Sequence, residues 1–256
     1  MRRTLGILLA AGVLLSYDSW VLLFLSPHPF PLTGYVSELA AADQPYSWLF
    51  RSGDAIAGSL MVLIAILGVR GWRPRFGRAA IPLAVAIGVA GLATIGDSIA
   101  ALPCTQTFDP VCYAEYTANP LRPDFLLHAI ASSIVAIGAM ASLVIAVIAL
   151  GRRGRLGTAY GRGVLTVLVL LIVANIGSVI IEMTWRAGQG YIQALGVLLL
   201  AAWAAHLGFI AVMDRGTAVD RGAADGRDAA DDPNAAGGRG AEADRGAAVD
   251  RGSADA

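Results

Sequence analysis

Long apolar runs alternate with short polar stretches over residues 1–213, and each run holds roughly twenty residues before the polarity changes. The pattern predicts helices at about 5–25, 47–69, 79–102, 125–150, 164–185 and 191–213. At 1.5 Å per residue, a run of this length crosses a hydrocarbon core of about 30 Å. The chain therefore reads as all-α: a polytopic membrane protein built as a six-transmembrane-helix bundle. The first run follows Arg2 and Arg3, which raises the alternative of a signal peptide. Its apolar character resumes beyond Asp18 over 21–25, and no small-residue cleavage site follows cleanly, so a retained helix is expected. After Met213 the pattern stops. Asp-Arg-Gly recurs at Asp214, Asp220, Asp244 and Asp250 among alanine and glycine, with almost no large apolar side chain. Such a segment cannot bury enough surface to offset its ordering entropy, so 214–256 is expected to be a disordered, low-complexity tail.

Composition agrees with the pattern. The chain is 56% hydrophobic with a mean hydropathy of +0.64, which excludes an ordinary soluble domain of 256 residues. A formal net charge of zero gives no reason to expect a nucleic-acid partner. All 19 basic residues are arginine, and with so much alanine and glycine this points to a GC-rich bacterial genome. Arg2 and Arg3 precede the first run. Arg70, Arg73, Arg75 and Arg78 lie between the second and third, and Arg152, Arg153, Arg155 and Arg162 between the fourth and fifth. The opposite connections carry only Arg122 and Arg186. Positive-inside logic then places both termini in the cytoplasm of a bacterium, with the bundle in the plasma membrane. Tyr35, Tyr46 and Trp48 suit the opposite interface.

That orientation puts Cys104 and Cys112 outside, where oxidation persists, and a structural disulfide is expected. Two cysteines without nearby histidines make a poor zinc set, and the spacing is not that of a Cys-x-x-Cys redox pair. Charges inside the spans share one level near the same interface: Asp18, Arg51 with Asp54, Asp97, His128 and Glu182. Arg51 and Asp54 are spaced to pair, and Gly58 continues their face. Ala90, Ala93, Thr94 and Asp97 form a small-residue stripe, His128 and Ser132 share a face, and so do Asn175, Ser178, Glu182 and Arg186. Such polar faces avoid lipid. One alternative is a buried network in which Arg51 neutralises an acid and fixes helix register. The other is a cavity open to the outside, where an unpaired acid is protonated or holds a cation. His206 reads as structural. No phosphate loop, His-Glu-x-x-His, Gly-x-Ser-x-Gly or dinucleotide fingerprint is present.

Several short motifs occur in a telling order: Ser19-Trp20-Val21, Val36-Ser37-Glu38-Leu39, Gln44-Pro45 and Phe50-Arg51-x-x-Asp54-x-x-x-Gly58. Asp97, Pro103-Cys104, Cys112 and His128-x-x-x-Ser132 follow. In these the chain resembles the bacterial six-pass membrane family known as domain-of-unknown-function family 998. The likeness covers spans one to four, and the last two match only as hydrophobic segments. It implies a six-helix integral membrane protein, carries no established activity, and adds Glu38 to the residues of interest.

The candidate ligand- or ion-binding residues are thus Asp18, Glu38, Arg51, Asp54, Asp97, His128, Ser132 and Glu182. Excess acids suit a small transporter, or a lipid- or ion-binding protein, with a polar cavity in the outer leaflet. The partners expected are membrane lipids and a lipid or cation ligand, with no cofactor and no metal site. A membrane scaffold or sensor with the tail as its handle is one alternative. An outer-leaflet lipid hydrolase is another. Intramembrane metal-dependent lipid hydrolases such as the ceramidase and progestin-receptor-like group imply several histidines around one metal, and this chain offers one well-placed histidine. A Ser132–His128 nucleophile pair is the remaining enzymatic possibility.

Overall fold

The structure is a computed structural model that describes residues 1–25, 33–185 and 188–230. The described residues are helical and contain no strand. The helices are α1 (Arg2–Tyr17), α2 (Ser47–Gly71), α3 (Arg73–Phe76), α4 (Ala80–Ile99), α5 (Pro110–Ala118), α6 (Pro123–Arg152), α7 (Ala159–Thr184) and α8 (Gln189–Ala230). Among the described residues five stretches are long and apolar enough to cross a membrane: Ser47–Gly71, Arg73–Ile99, Pro123–Arg152, Ala159–Thr184 and Gln189–Asp214. The chain is a multi-pass membrane bundle.

Local chemistry sets several helix starts. Pro123 opens α6 within its first turn, where its missing N–H costs nothing. Thr158 caps α7 by accepting from the Gly161 N–H at 3.1 Å, and Asp109 caps α5 by accepting from the Val111 N–H at 2.8 Å.

The first expected span differs. It is not one continuous helix: α1 has 16 residues and stops at Tyr17, and a 3-10 helix, Ser19–Leu25, follows. The break has a local cause. The Trp20 indole donates to Asp18 Oδ1 at 3.2 Å and the Val21 N–H to the Asp18 carbonyl at 3.0 Å, so side chain and backbone both close a tighter turn. The far end differs too. Residues 214–230 lie within α8, where the sequence predicts an unstructured tail. Their alanines have the highest helix propensity. Residues 231–256 lie outside the described residues. Met1–Arg215 form one compact unit and Gly216–Ala256 a second.

Within the first unit, α2, α4 and α6 pack side by side, α1 lies on α2 and α7 on α6. Leu200, Trp203, Leu207 and Ala211 of α8 share a core with Met61 and Ile64 of α2 and Leu143 and Ala146 of α6. Small side chains face inward, among them Ala57, Ala90, Ala139 and Ala204, whereas Leu63, Ile66, Val85, Leu92, Ile137 and Val173 are exposed. Lipid is as apolar as leucine, so helices in a bilayer gain by close approach rather than by hiding large side chains. The α2–α4 crossing shows this: a Cβ on Gly58 would stand 2.5 Å from the Gly91 carbonyl oxygen.

Candidate ligand-binding cavity

At one end the helices draw apart around a cavity of about 360 Å³. Phe50 and Asp54 come from α2, Thr94 and Asp97 from α4, and Ser132 and Ser133 from α6. Asn175 and Ser178 of α7 and Gln193 of α8 complete the polar wall. Tyr17, Ser19 and Trp20 enter from the break after α1, and Tyr35, Val36 and Ser37 from the connection before α2.

Three of the eight candidates therefore share one chamber: Asp54, Asp97 and Ser132. The Ser132 hydroxyl donates to Asp97 Oδ2 at 3.0 Å. His128 does not line the chamber. It stands behind Asp97, with Nδ1 2.9 Å from Oδ1. That approach is an ion-pair distance without hydrogen-bond alignment, since neither atom has a hydrogen-bonded partner. Asp54 has no hydrogen-bond or ion-pair partner among the described residues.

The expected pairing of Arg51 with Asp54 does not form. Arg51 Nε instead donates to the Ser98 carbonyl at 2.8 Å. Ser98 belongs to the last turn of α4, whose carbonyls have no partner within the helix, and the guanidinium satisfies one of them. Asp18 accepts from Trp20 and lies beside the cavity rather than on its wall. Glu182 accepts a short hydrogen bond from the Tyr35 hydroxyl, which ties α7 to the roof. Arg186, expected on the same stripe, lies outside the described residues. Asn175 turns its amide to the Leu171 carbonyl of its own helix at 2.8 Å.

Glu38 sits in the roof and not in the cavity. Only 2% of it is exposed. Oε1 accepts from the Thr107 N–H at 3.0 Å and from the Thr107 hydroxyl at 3.1 Å, while Oε2 has no partner. Burial raises this carboxyl above its ordinary range, and the Thr107 donors pull the other way. Burial also raises the Tyr35 phenol, and its bond to Glu182 adds to that. Nearby, Asp43 Oδ2 accepts from the Thr105 N–H at 3.0 Å and its hydroxyl at 3.1 Å. The Cys104–Cys112 disulfide is formed, and Cys112 packs with Ala41, Leu102 and Phe125. The connections before α2 and after α4 thus make one cap over the chamber.

The family model described as Protein of unknown function (DUF998) matches residues 10–210. The chain belongs to this family. No curated protein and no solved structure matches it. The DUF998 region contains every side chain of the cavity and ends before the repeats of the tail.

Sequence reasoning passed over much of the wall of this DUF998 chamber. Tyr17, Ser133 and Gln193 line it, and Thr107 and Gln189 support the roof behind it. The only signal for them is an uncharged polar side chain near the end of an apolar run. Among the described residues no three His, Cys, Asp or Glu side chains gather as a metal set.

Proposed function

We propose that this DUF998 protein binds a small amphipathic organic cation in the cavity and acts as a membrane carrier or receptor for it. The observation that carries this is the charge of the wall. Asp54 and Asp97 face one chamber, and among the described residues no basic side chain lines it. Asp97 already has Ser132 and His128, whereas Asp54 is left to a ligand. Trp20, Phe50, Tyr17 and Tyr35 supply aromatic faces, which attract cations, and the remaining wall is largely aliphatic. The volume suits a small organic molecule better than a bare ion, which needs several oxygens at close range.

A serine nucleophile is not favoured. Ser132 gives its proton to Asp97, not to His128, whereas an activated serine needs the imidazole as its base.

We infer further that α1 and the 3-10 helix after it together complete a sixth crossing of a bacterial plasma membrane. Sixteen α-helical residues rise about 24 Å, and seven 3-10 residues add about 14 Å. Arg2 and Arg3 then share a face with the arginine turns, both termini are cytoplasmic, and the cavity opens outward.

Calorimetric titration of the purified protein with alkylamines and alkyl alcohols of equal length tests the ligand class. The amines are expected to bind and the alcohols not. Asp54→Asn should weaken amine binding about tenfold or more, the loss of a desolvated charge pair. Equal binding of amine and alcohol, or an unchanged Asp54→Asn variant, would sink the proposal.

A further inference from the structure

The opposite end of the bundle holds a second concavity, a groove of about 510 Å³. It lies between the turn Gly77–Ala79, the start of α4 and the last turns of α6. Its walls form two tiers. Arg78, Arg152 and Arg153 stand at the rim, and Pro82, Ile145 and Ile148 lie further along the helices. On α6, residues 145, 148 and 152 share one helical face, so the apolar tier starts about 6–10 Å along the helix axis from the Arg152 backbone. Ile148 is exposed on that membrane-facing surface.

The groove is built rather than incidental. Gly77 adopts a φ of 63°, a left-handed conformation that suits glycine, and turns the chain from α3 towards α4. Arg153 Nη1 donates to the carbonyls of Pro74 at 3.0 Å and Arg75 at 3.2 Å, which ties the two arginine-bearing connections together. Arg75 is held by Asp214 at 2.8 Å. Among the described residues no carboxylate pairs with Arg78 or Arg152. Two exposed guanidiniums are thus brought to one rim above an apolar wall, with no counter-charge among the described residues.

We propose that this groove binds an anionic phospholipid. The phosphate sits between Arg78 and Arg152, where guanidinium forks match its oxygens, and an acyl chain lies along Pro82, Ile145 and Ile148. The proposal is independent of what the cavity at the other end binds.

The test uses the full-length protein in a mild detergent, with bound lipid counted by native mass spectrometry. Titrants are phosphatidylglycerol, phosphatidylcholine and free glycerol phosphate. Phosphatidylglycerol is expected to give a discrete adduct, and the other two to bind far more weakly. Arg78→Gln with Arg152→Gln should weaken the adduct about twentyfold, and Arg152→Gln alone about fivefold, at about one factor of five per interfacial arginine. Arg70→Gln with Arg162→Gln removes equal charge from exposed positions outside the groove, and should change binding by about twofold or less. Equal losses in the two double variants would show bulk attraction and overturn the site. So would phosphatidylcholine binding as well as phosphatidylglycerol. Glycerol phosphate binding as tightly as the lipid would overturn the role of the apolar wall. If the double variant does not fold by circular dichroism, the single variant decides.

Discussion

The two ends of the bundle solve opposite problems with the same helices. At the arginine end the interior is closed by packing. Trp72 is fully buried with its indole N–H on the Leu207 carbonyl at 2.9 Å, and Trp203 donates to Ser142 Oγ at 2.8 Å. The charges there point outward to the rim. At the cavity end the charges point inward, hydroxyls and amides replace alkyl groups, and the helices stand apart. Helix association in lipid rests on close packing, so an end that gives up packing needs another source of order. Here the cap supplies it, through the disulfide, the Glu38–Thr107 and Asp43–Thr105 hydrogen bonds and the Tyr35–Glu182 contact. Stability is concentrated at one end and binding chemistry at the other.

Truncating an aromatic at each end is the most direct way to break that comparison. Trp72→Ala removes a fully buried side chain and its hydrogen bond, and should cost about 3–5 kcal/mol. Phe50→Ala at the cavity wall enlarges a space that already exists, and should cost about 1 kcal/mol or less. Thermal unfolding in detergent measures both. Equal losses would mean that the cavity end is packed as tightly as the other.

Opening the staple sharpens the comparison next. Cys104→Ser with Cys112→Ser should lower stability by about 2–3 kcal/mol, the closure entropy of so short a loop. Reducing agent should produce the same loss in the unaltered protein. Hydrogen exchange should rise around Thr105 and Thr107 and stay unchanged around Trp72. Faster exchange at both ends would show that the cap does not act locally.

A smaller effect is expected inside the chamber. Asp97→Asn keeps an acceptor for Ser132 but removes the charge beside His128. Stability should shift by about 1 kcal/mol or less, while amine binding falls about fivefold. A variant that loses stability yet keeps its affinity would make Asp97 a structural acid.

Hydropathy made the last five spans legible, because length and apolarity are properties of the chain alone. Arginine placement made the difference between the two ends legible, and the cysteine pair was read from its spacing and from the side of the membrane that the arginines led us to expect. The break at Asp18 was not legible. A hydropathy average does not register that one carboxylate can take a neighbouring indole and tighten a turn. Nor was the partner of Arg51, because the acceptor is a backbone carbonyl at the end of another helix and every residue has one. Charge singled out Asp54 and Asp97, but equally Glu38 and Glu182, which hold the roof and do not face the chamber. What divides these acids is which threonine or tyrosine of a distant segment reaches them.

Glu38 gives the comparison its pH dependence. Its carboxyl is buried in the cap with one oxygen unpartnered, and burial raises its pKa above the ordinary 4.5. A raised carboxyl means that the folded state holds the proton more tightly than the unfolded chain. Its stabilising contribution is therefore complete below about pH 4.5, where both states are protonated, and is lost as pH rises through the folded-state value. The cap should accordingly be tighter in mild acid and loosen as pH rises through the folded-state value, where the carboxylate ionises in a site offering donors to only one oxygen. Glu38→Gln keeps an acceptor for Thr107 and cannot ionise. It should flatten that pH dependence, with an effect of about 1 kcal/mol or less on the cap, and leave the arginine end unchanged. Hydrogen exchange at Thr105 and Thr107 reads the cap, exchange around Trp72 serves as the internal reference, and both are measured across pH 4.5 to 7.5 after correction for intrinsic exchange. A slope at the cap that persists in Glu38→Gln would assign the pH response to another group, and a slope at both ends would mean that the two ends open together.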